Sequence, residues 1–250
     1  NFNTFIGHSV SDATMNDALG NTGVGYGVLS ALTTGDYNTV IGRGAGESIT
    51  TGAQNTVIGN SAFSSANGDE DFNVILGQGA GYSIQNDNAD YNVIIGTDAG
   101  TGGSGQFARN IAIGGLALNS TGSSELTSTI SIGYETGTDI NHSDASGTVM
   151  VGHQAGARIT SGQKNVLIGQ QAGNQGANGI TTGDYNTAVG SNSLGASAAS
   201  DITTSNNTAI GYNAMLEAED SVSGNTAVGS DCLKNITTGE SNVAMGYQAL

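Results

Sequence analysis

Few side chains in this chain have chemistry to offer: three histidines, one cysteine and two acidic clusters. His142 stands between Asp139 and Asp144, a nitrogen and oxygen set able to ligate a metal, with a solvated loop as the default reading. His8 and His153 each follow a glycine, where comparable stretches carry Tyr26, Tyr134, Tyr212 and Tyr247. They read as exposed corner residues rather than bases or ligands. Asp69-Glu70-Asp71 and Asp87-Asn88-Ala89-Asp90 gather carboxylates. Neither has EF-hand spacing, and no Gly-Gly-x-Gly-x-Asp calcium repeat occurs. A charged turn is the expected reading and weak cation binding the alternative. Cys232 fills a slot held elsewhere by alanine, which points to packing. The glycine-rich stretch 100–105 has no following helix or Lys-Ser/Thr with which to hold a phosphate. Scattered serines offer no nucleophile–base pair. The expectation is a chain that is not an enzyme, with no catalytic, cofactor-binding or metal residue and no cofactor.

One recurrence suits binding. Asp-aromatic-Asn stands at Asp36-Tyr37-Asn38, Asp71-Phe72-Asn73, Asp90-Tyr91-Asn92 and Asp184-Tyr185-Asn186. Exposed rings beside carboxylates fit sugar rings. The competing reading is a stacked ladder of Phe72 and Tyr91, capped by Arg109 through a cation–π contact.

The element that positions all of these is a short repeat. Asn38-Thr39-Val40-Ile41-Gly42 returns unchanged as Asn55-Thr56-Val57-Ile58-Gly59, and relatives run from Asn3 to Gly246. Fourteen copies align on a final glycine, Gly7, Gly25, Gly42, Gly59, Gly77, Gly96, Gly114, Gly133, Gly152, Gly169, Gly190, Gly211, Gly229 and Gly246, with gaps of 17 to 21 residues. A fixed period of this size is the mark of a repeat architecture. The position three before the glycine is β-branched in every copy and the position just before it is apolar. Such residues two apart read as one face of a strand. The position between them is apolar in all but Ser131, so both faces of the strand want cover. The glycine suits a corner needing positive φ or close backbone approach. A small residue, alanine nine times, follows three positions later, and a second short apolar element precedes a Thr-Thr-Gly-like turn. Each repeat reads as strand, tight corner, short strand, turn. Asparagine stands four before the glycine in twelve copies, Thr129 and Thr148 being the exceptions. Stacked coils would place these amides one above another as a hydrogen-bonded ladder, the alternative being a simple turn preference. The longest repeats, between Gly169 and Gly211, carry extra residues in Asn174–Gly179 and Ala196–Ser200, expected as loops.

These features predict an all-β fold, a parallel β-solenoid of about 14 coils forming one continuous domain over 1–250. Net charge is −16, from 21 acidic and 5 basic residues, which excludes a phosphate-neutralising stripe and disfavours anionic membranes. No apolar run is long enough to span a bilayer. The chain begins at Asn1 and stops in mid-repeat at Leu250, which reads as a segment of a longer polypeptide.

The Asn-Thr-(Val/Ala)-(Ile/Val)-Gly-x-x-Ala pattern resembles the YadA-like head repeats of trimeric autotransporter adhesins and the β-roll repeats of some bacteriophage tail fibres, over essentially the whole chain. The repeats here are longer than those of the adhesin heads. The resemblance implies a left-handed β-roll, three chains side by side, and attachment to cell surfaces. The function it points to is a rigid shaft or head segment of a tail fibre in a virion. A bacterial adhesin or extracellular filament is the alternative, and a carbohydrate-processing tail spike lies further off. Expected partners are two further copies of the chain and host cell-surface carbohydrate or protein, with no nucleic acid and no membrane insertion. Independently, one apolar face left over on every coil exceeds what a soluble monomer tolerates. The expectation sets the middle strand residues Val40, Val57, Ile75, Ile94 and Leu167 against sister chains. Thr39 and Ile41, or Val74 and Leu76, then face the coil interior. The two faces can be exchanged, provided one meets another chain.

Overall fold

The computed structural model describes residues 2–175, 178–195, 203–219 and 222–250. The chain forms two compact units, Asn1–Ser128 and Thr129–Leu250. In the first, the motif strands are β1 (Thr4–His8), β2 (Thr22–Tyr26), β3 (Thr39–Ile41), β4 (Thr56–Ile58), β5 (Val74–Leu76), β6 (Val93–Ile95) and β8 (Ile111–Ile113). A minor pair, β7 (Phe107–Ala108) and β9 (Leu126–Thr127), lies beside them. In the second, the motif strands are β10 (Ile130–Ile132), β11 (Val149–Val151), β12 (Val166–Ile168), β15 (Thr187–Val189), β16 (Thr208–Ile210), β17 (Thr226–Val228) and β18 (Val243–Met245). Within each unit, successive motif strands pair in parallel and in register, Thr39 with Thr56 and Val57 with Ile75, for example. Each unit is therefore a parallel β-solenoid built one coil per repeat. Among the described residues there is no α-helix, and one 3₁₀ turn, Ser143–Ala145.

The strands last three residues in most coils because the corner glycine ends them. These glycines have φ between 123° and 147°. A Cβ on Gly59 would overlap the carbonyl oxygen of Gly77 in the next coil. Two constraints, a backbone angle foreign to L-residues and a neighbouring backbone in contact, hold the position to glycine. Two and four residues beyond each glycine the chain adopts a left-handed conformation, as at Ser61 (φ 53°) and Phe63 (φ 51°). The residue five before most of the glycines does the same, as at Tyr37, Phe72 and Tyr91.

These left-handed residues also correct one expectation. The second short strand is not a general feature of the coil. Its place is taken by turns that stack through single backbone bonds, such as Thr33 N–H to Thr50 O (2.9 Å) and Ser48 N–H to Ser64 O (3.2 Å). A left-handed residue at either end interrupts the extended run that a strand needs. The short apolar residues of this side, Leu32, Ile49, Ile84, Ile159 and Ile180, are nevertheless buried.

The interior is filled from the opposite face to that expected. Val40, Val57, Ile75, Ile94 and Leu167 are fully buried within their own chain, while Thr39 and Ile41 point outward. The middle strand position faces in because it shares its space with the residue four past the glycine. Where the middle residue is large, that partner is glycine: Val40 with Gly46, Ile75 with Gly81, Ile94 with Gly100, Met150 with Gly156, Leu167 with Gly173. Where it is small, the partner is large: Gly23 with Leu29, Ala112 with Leu118, Ala188 with Leu194, Ala209 with Met215, Ala227 with Leu233. A Cβ on Gly100 would lie 3.0 Å from Ile94 Cδ1, and one on Gly156 would lie 2.7 Å from Met150 Sδ. In these coils the two residues share one interior space, so that one is large where the other is small. Phe5 with Ser11, Ser131 with Gly137 and Val57 with Phe63 depart from the rule, and the Phe63 ring reaches to where Gly81 of the next coil leaves room, 3.3 Å from its would-be Cβ.

Two irregular repeats solve local problems. Ser131, the polar middle residue, is buried and its hydroxyl lies 2.6 Å from that of Thr136, which occupies the usual alanine slot. In the long repeat after Gly169, β13 (Asn174–Gln175) and β14 (Asn178–Gly179) pair antiparallel within the insertion expected there, whose residues 176–177 lie outside the described ones. The other, at Ala196–Ser200, lies outside the described residues.

Candidate functional site

The asparagine ladder forms, and each rung does two tasks. The side-chain oxygen of one Asn accepts the backbone N–H of the next, at 2.9 Å from Asn38 to Asn21, 3.0 Å from Asn55 to Asn38 and 2.9 Å from Asn73 to Asn55. The same oxygen accepts the next side-chain amide, at 3.1 Å in each of these three rungs. That amide also donates across its own coil, Asn38 Nδ2 to Gly52 O (2.8 Å) and Asn55 Nδ2 to Glu70 O (2.7 Å). In the second unit the ladder runs through Asn165, Asn186, Asn207, Asn225 and Asn242. Thr148 serves as a weaker rung, its Oγ1 3.4 Å from Asn165 N. The ladder is buried, so it acts as a spine joining coils rather than as a surface.

The Asp-aromatic-Asn motif divides its work. Asp36, Asp71, Asp90 and Asp184 each accept a backbone N–H from the preceding coil, of Leu19 (2.7 Å), Ala53 (2.7 Å), Asp71 (2.8 Å) and Gln163 (2.9 Å). Phe72 and Tyr91 stack with centroids 4.8 Å apart and planes within 2°. Each ring thus covers one face of its neighbour, which is the stacked ladder the sequence offered as the competing reading. The cation–π contact found among the described residues is Lys164 over Tyr185, at 5.4 Å, in place of the expected Arg109 over Tyr91.

The acidic clusters are built into turns. Glu70 is fully buried, and its two oxygens accept the N–H groups of Asn67 (3.1 Å) and Gly68 (2.9 Å). Burial pushes its carboxyl above the ordinary value, against those two bonds, and the Asp87 charge adds to the rise. Asp69 accepts the Thr51 hydroxyl. Burial likewise raises Asp71, partly offset by the Ala53 N–H, with Asp90 and Asp69 adding to it.

The histidines do not converge on anything. His8 stacks on Tyr26 (5.3 Å, 9°) and His153 on Tyr134 (5.8 Å, 17°), as two separate pairs in the file one past the corner glycine. His142 caps the 3₁₀ turn, its Nδ1 accepting the Asp144 N–H at 3.2 Å. Asp139 turns instead to Arg158, at 2.8 Å. Among the described residues no three His, Cys, Asp or Glu side chains gather as a metal site. Cys232 is a buried free thiol in the small slot. A cleft of about 530 Å³ lies over the last coil between Leu233, Lys234, Ile236 and Leu250.

What the coils leave outside is the second strand face. Its two files are the β-branched residue three before each glycine and the apolar residue just before it. Not one of the 28 positions carries a charge. Ile41, Ile58, Ile168 and Ile210 remain 37 to 40% exposed. No helix among the described residues is long and apolar enough to cross a membrane. Compared with protein-family models, with curated proteins and with solved structures, the chain matches none.

Proposed function

We propose that this chain is a rigid segment of an attachment fibre, a bacteriophage tail fibre in the first instance, working as a homotrimer in the virion. The observation that carries the reading is the uncharged outer strand face, repeated in every motif strand of a chain whose net charge is −16. A surface that excludes charge so consistently is designed to be covered. Repeating partner surfaces of the same pitch are supplied most simply by further copies of the same chain, related by a closed rotation. The asparagine spine supports the mechanical half of the proposal, since within each unit the coils that carry it are bonded to one another through both backbone and side chain. A bacterial trimeric adhesin would use the same assembly and differ in what flanks it.

The outward orientation sets the test. Ile58→Asp with Ile168→Asp places charge on the covered face while leaving each coil interior intact. Sedimentation equilibrium of the wild type should give a trimer, and the double variant a folded monomer. A folded, stable wild-type monomer would overturn the proposal.

A further inference from the structure

Of the five cations in the chain, Arg158 pairs with Asp139, Lys234 lies 3.6 Å from Asp231, and Lys164 sits over Tyr185. Arg43 and Arg109 are exposed and have no ion-pair partner among the described residues, and Arg43 lies beside a cleft. It projects from the corner of its coil, directly after Tyr26 in the vertical stack. Gly44 N–H bonds Tyr26 O (2.8 Å), and Ser61 N–H bonds Arg43 O (2.8 Å). Tyr26 is 58% exposed and covered by His8 on one face. Its other face turns toward the coil of Arg43. Between them lies a cleft of about 120 Å³ lined by Tyr26, Gly27, Arg43, Gly44, Glu47 and Ser61. The two glycines keep its floor open. A Cβ on Gly27 would meet nothing within 4 Å, and one on Gly44 would meet first Glu47 Oε2 at 3.4 Å and then Ser61 Oγ at 3.8 Å.

We infer that this cleft binds a single uncharged pyranose unit of a surface polysaccharide. The C–H face of the sugar lies on the free face of Tyr26. Glu47 accepts hydrogen bonds from adjacent ring hydroxyls, and Arg43 and Ser61 donate to ring or hydroxyl oxygens. A pyranose has both the flat apolar face and the paired hydroxyls that this set needs. An acidic sugar or a phosphate would meet the Glu47 carboxylate inside a strongly negative chain, so a neutral ring is the better match. The corner residue of the next coil is Arg43, not an aromatic, so Tyr26 keeps one ring face unstacked by another ring. The inference rests on the attachment reading above and specifies what would be attached to.

The test is saturation-transfer NMR on the intact chain, with the methyl glycosides of glucose, mannose and galactose as probes and N-acetylneuraminic acid as the acidic comparison. At least one neutral glycoside should receive transfer at its ring C–H protons. Tyr26→Ala and Glu47→Gln should each reduce that transfer about tenfold or more, as expected for groups anchoring a small ligand. Tyr91→Ala should leave it unchanged. Both substituted side chains are exposed, and circular dichroism checks that each variant keeps its fold. No transfer to any neutral glycoside, transfer to the acid alone, or transfer undiminished in Glu47→Gln would each overturn the inference. Sedimentation of the same samples separates the two ideas. A trimer that binds no neutral sugar refutes the cleft alone, whereas a monomer refutes the fibre reading.

Discussion

Exchanging the members of one interior pair tests the packing rule of the coil. Ile94→Ala alone removes a fully buried side chain, a change that costs about 2–5 kcal/mol when the site cannot collapse. Gly100→Leu alone inserts a side chain whose first atom would already lie 3.0 Å from Ile94 Cδ1, and overpacking of this kind costs about 1–3 kcal/mol. Leucine is not excluded by the backbone there. Gly100 has φ 51°, and Leu118, at the equivalent place in the next coil, has φ 52°. The double variant recreates the Ala112–Leu118 arrangement one coil earlier. The two costs should therefore cancel in large part, with a favourable coupling of about 2–3 kcal/mol, the upper range for residues sharing a cavity. Urea unfolding of the wild type, both single variants and the double variant, followed by circular dichroism, gives the cycle directly. If the two costs simply add, the residues do not share one volume and the reasoning fails.

Three further outcomes follow from the same packing and hydrogen bonds. Asn55→Ala deletes four buried hydrogen bonds and should cost about 2–6 kcal/mol at 0.5–1.5 kcal/mol each, with amide exchange rising in the adjoining coils; protection equal to the wild type would refute the spine. Gly59→Val meets both the left-handed backbone and the Gly77 carbonyl, so its melting temperature should fall well below that of Asn67→Ser, in an exposed turn; equal values would contradict the corner. The raised carboxyl of Glu70 means the folded state holds that proton more tightly than the unfolded one. Its contribution is therefore fully present below the unfolded value and lost as pH rises through the folded value. The stability of wild type relative to Glu70→Gln should decline from pH 4.5 upward, and a difference independent of pH would show that Glu70 ionises as it does in solvent.

The period, the corner glycine and the parallel stacking are legible because each answers a constraint that recurs in every coil. Which strand face turns inward was not, since apolar residues occupy both. The deciding signal lies in the reciprocal sizes of the middle residue and the residue four past the glycine, Ile75 with Gly81 against Ala188 with Leu194. It shows only when the two positions are compared with each other. The loss of the second strand from most coils had a signal as well. No Val, Ile or Thr occurs two or four residues past the glycine in any copy, as left-handed backbone requires. The stacked rings of the Asp-aromatic-Asn motif were legible as a ladder, but its aspartates serve backbone N–H groups one repeat away, a contact invisible in a local reading. The cleft at Tyr26 stayed hidden for a similar reason. Its residues come from three coils, and the isolated corner residues Arg43 and Glu47 carry no motif.

The central claim, that the outer strand face is covered by sister chains, is tested most directly by the mass of the assembly. Further burial of Ile41, Ile58, Ile168 and Ile210, already 37 to 40% exposed, adds about 2–5 kcal/mol per chain at 1.5–3 kcal/mol for full burial. The partly exposed neighbours of both files add to it. Electrostatic repulsion between the acidic chains is screened beyond about 10 Å at 0.1 M salt. Sedimentation equilibrium at that salt should return three times the chain mass of 24.8 kDa. A folded species at the single-chain mass, unchanged with concentration, would contradict the account.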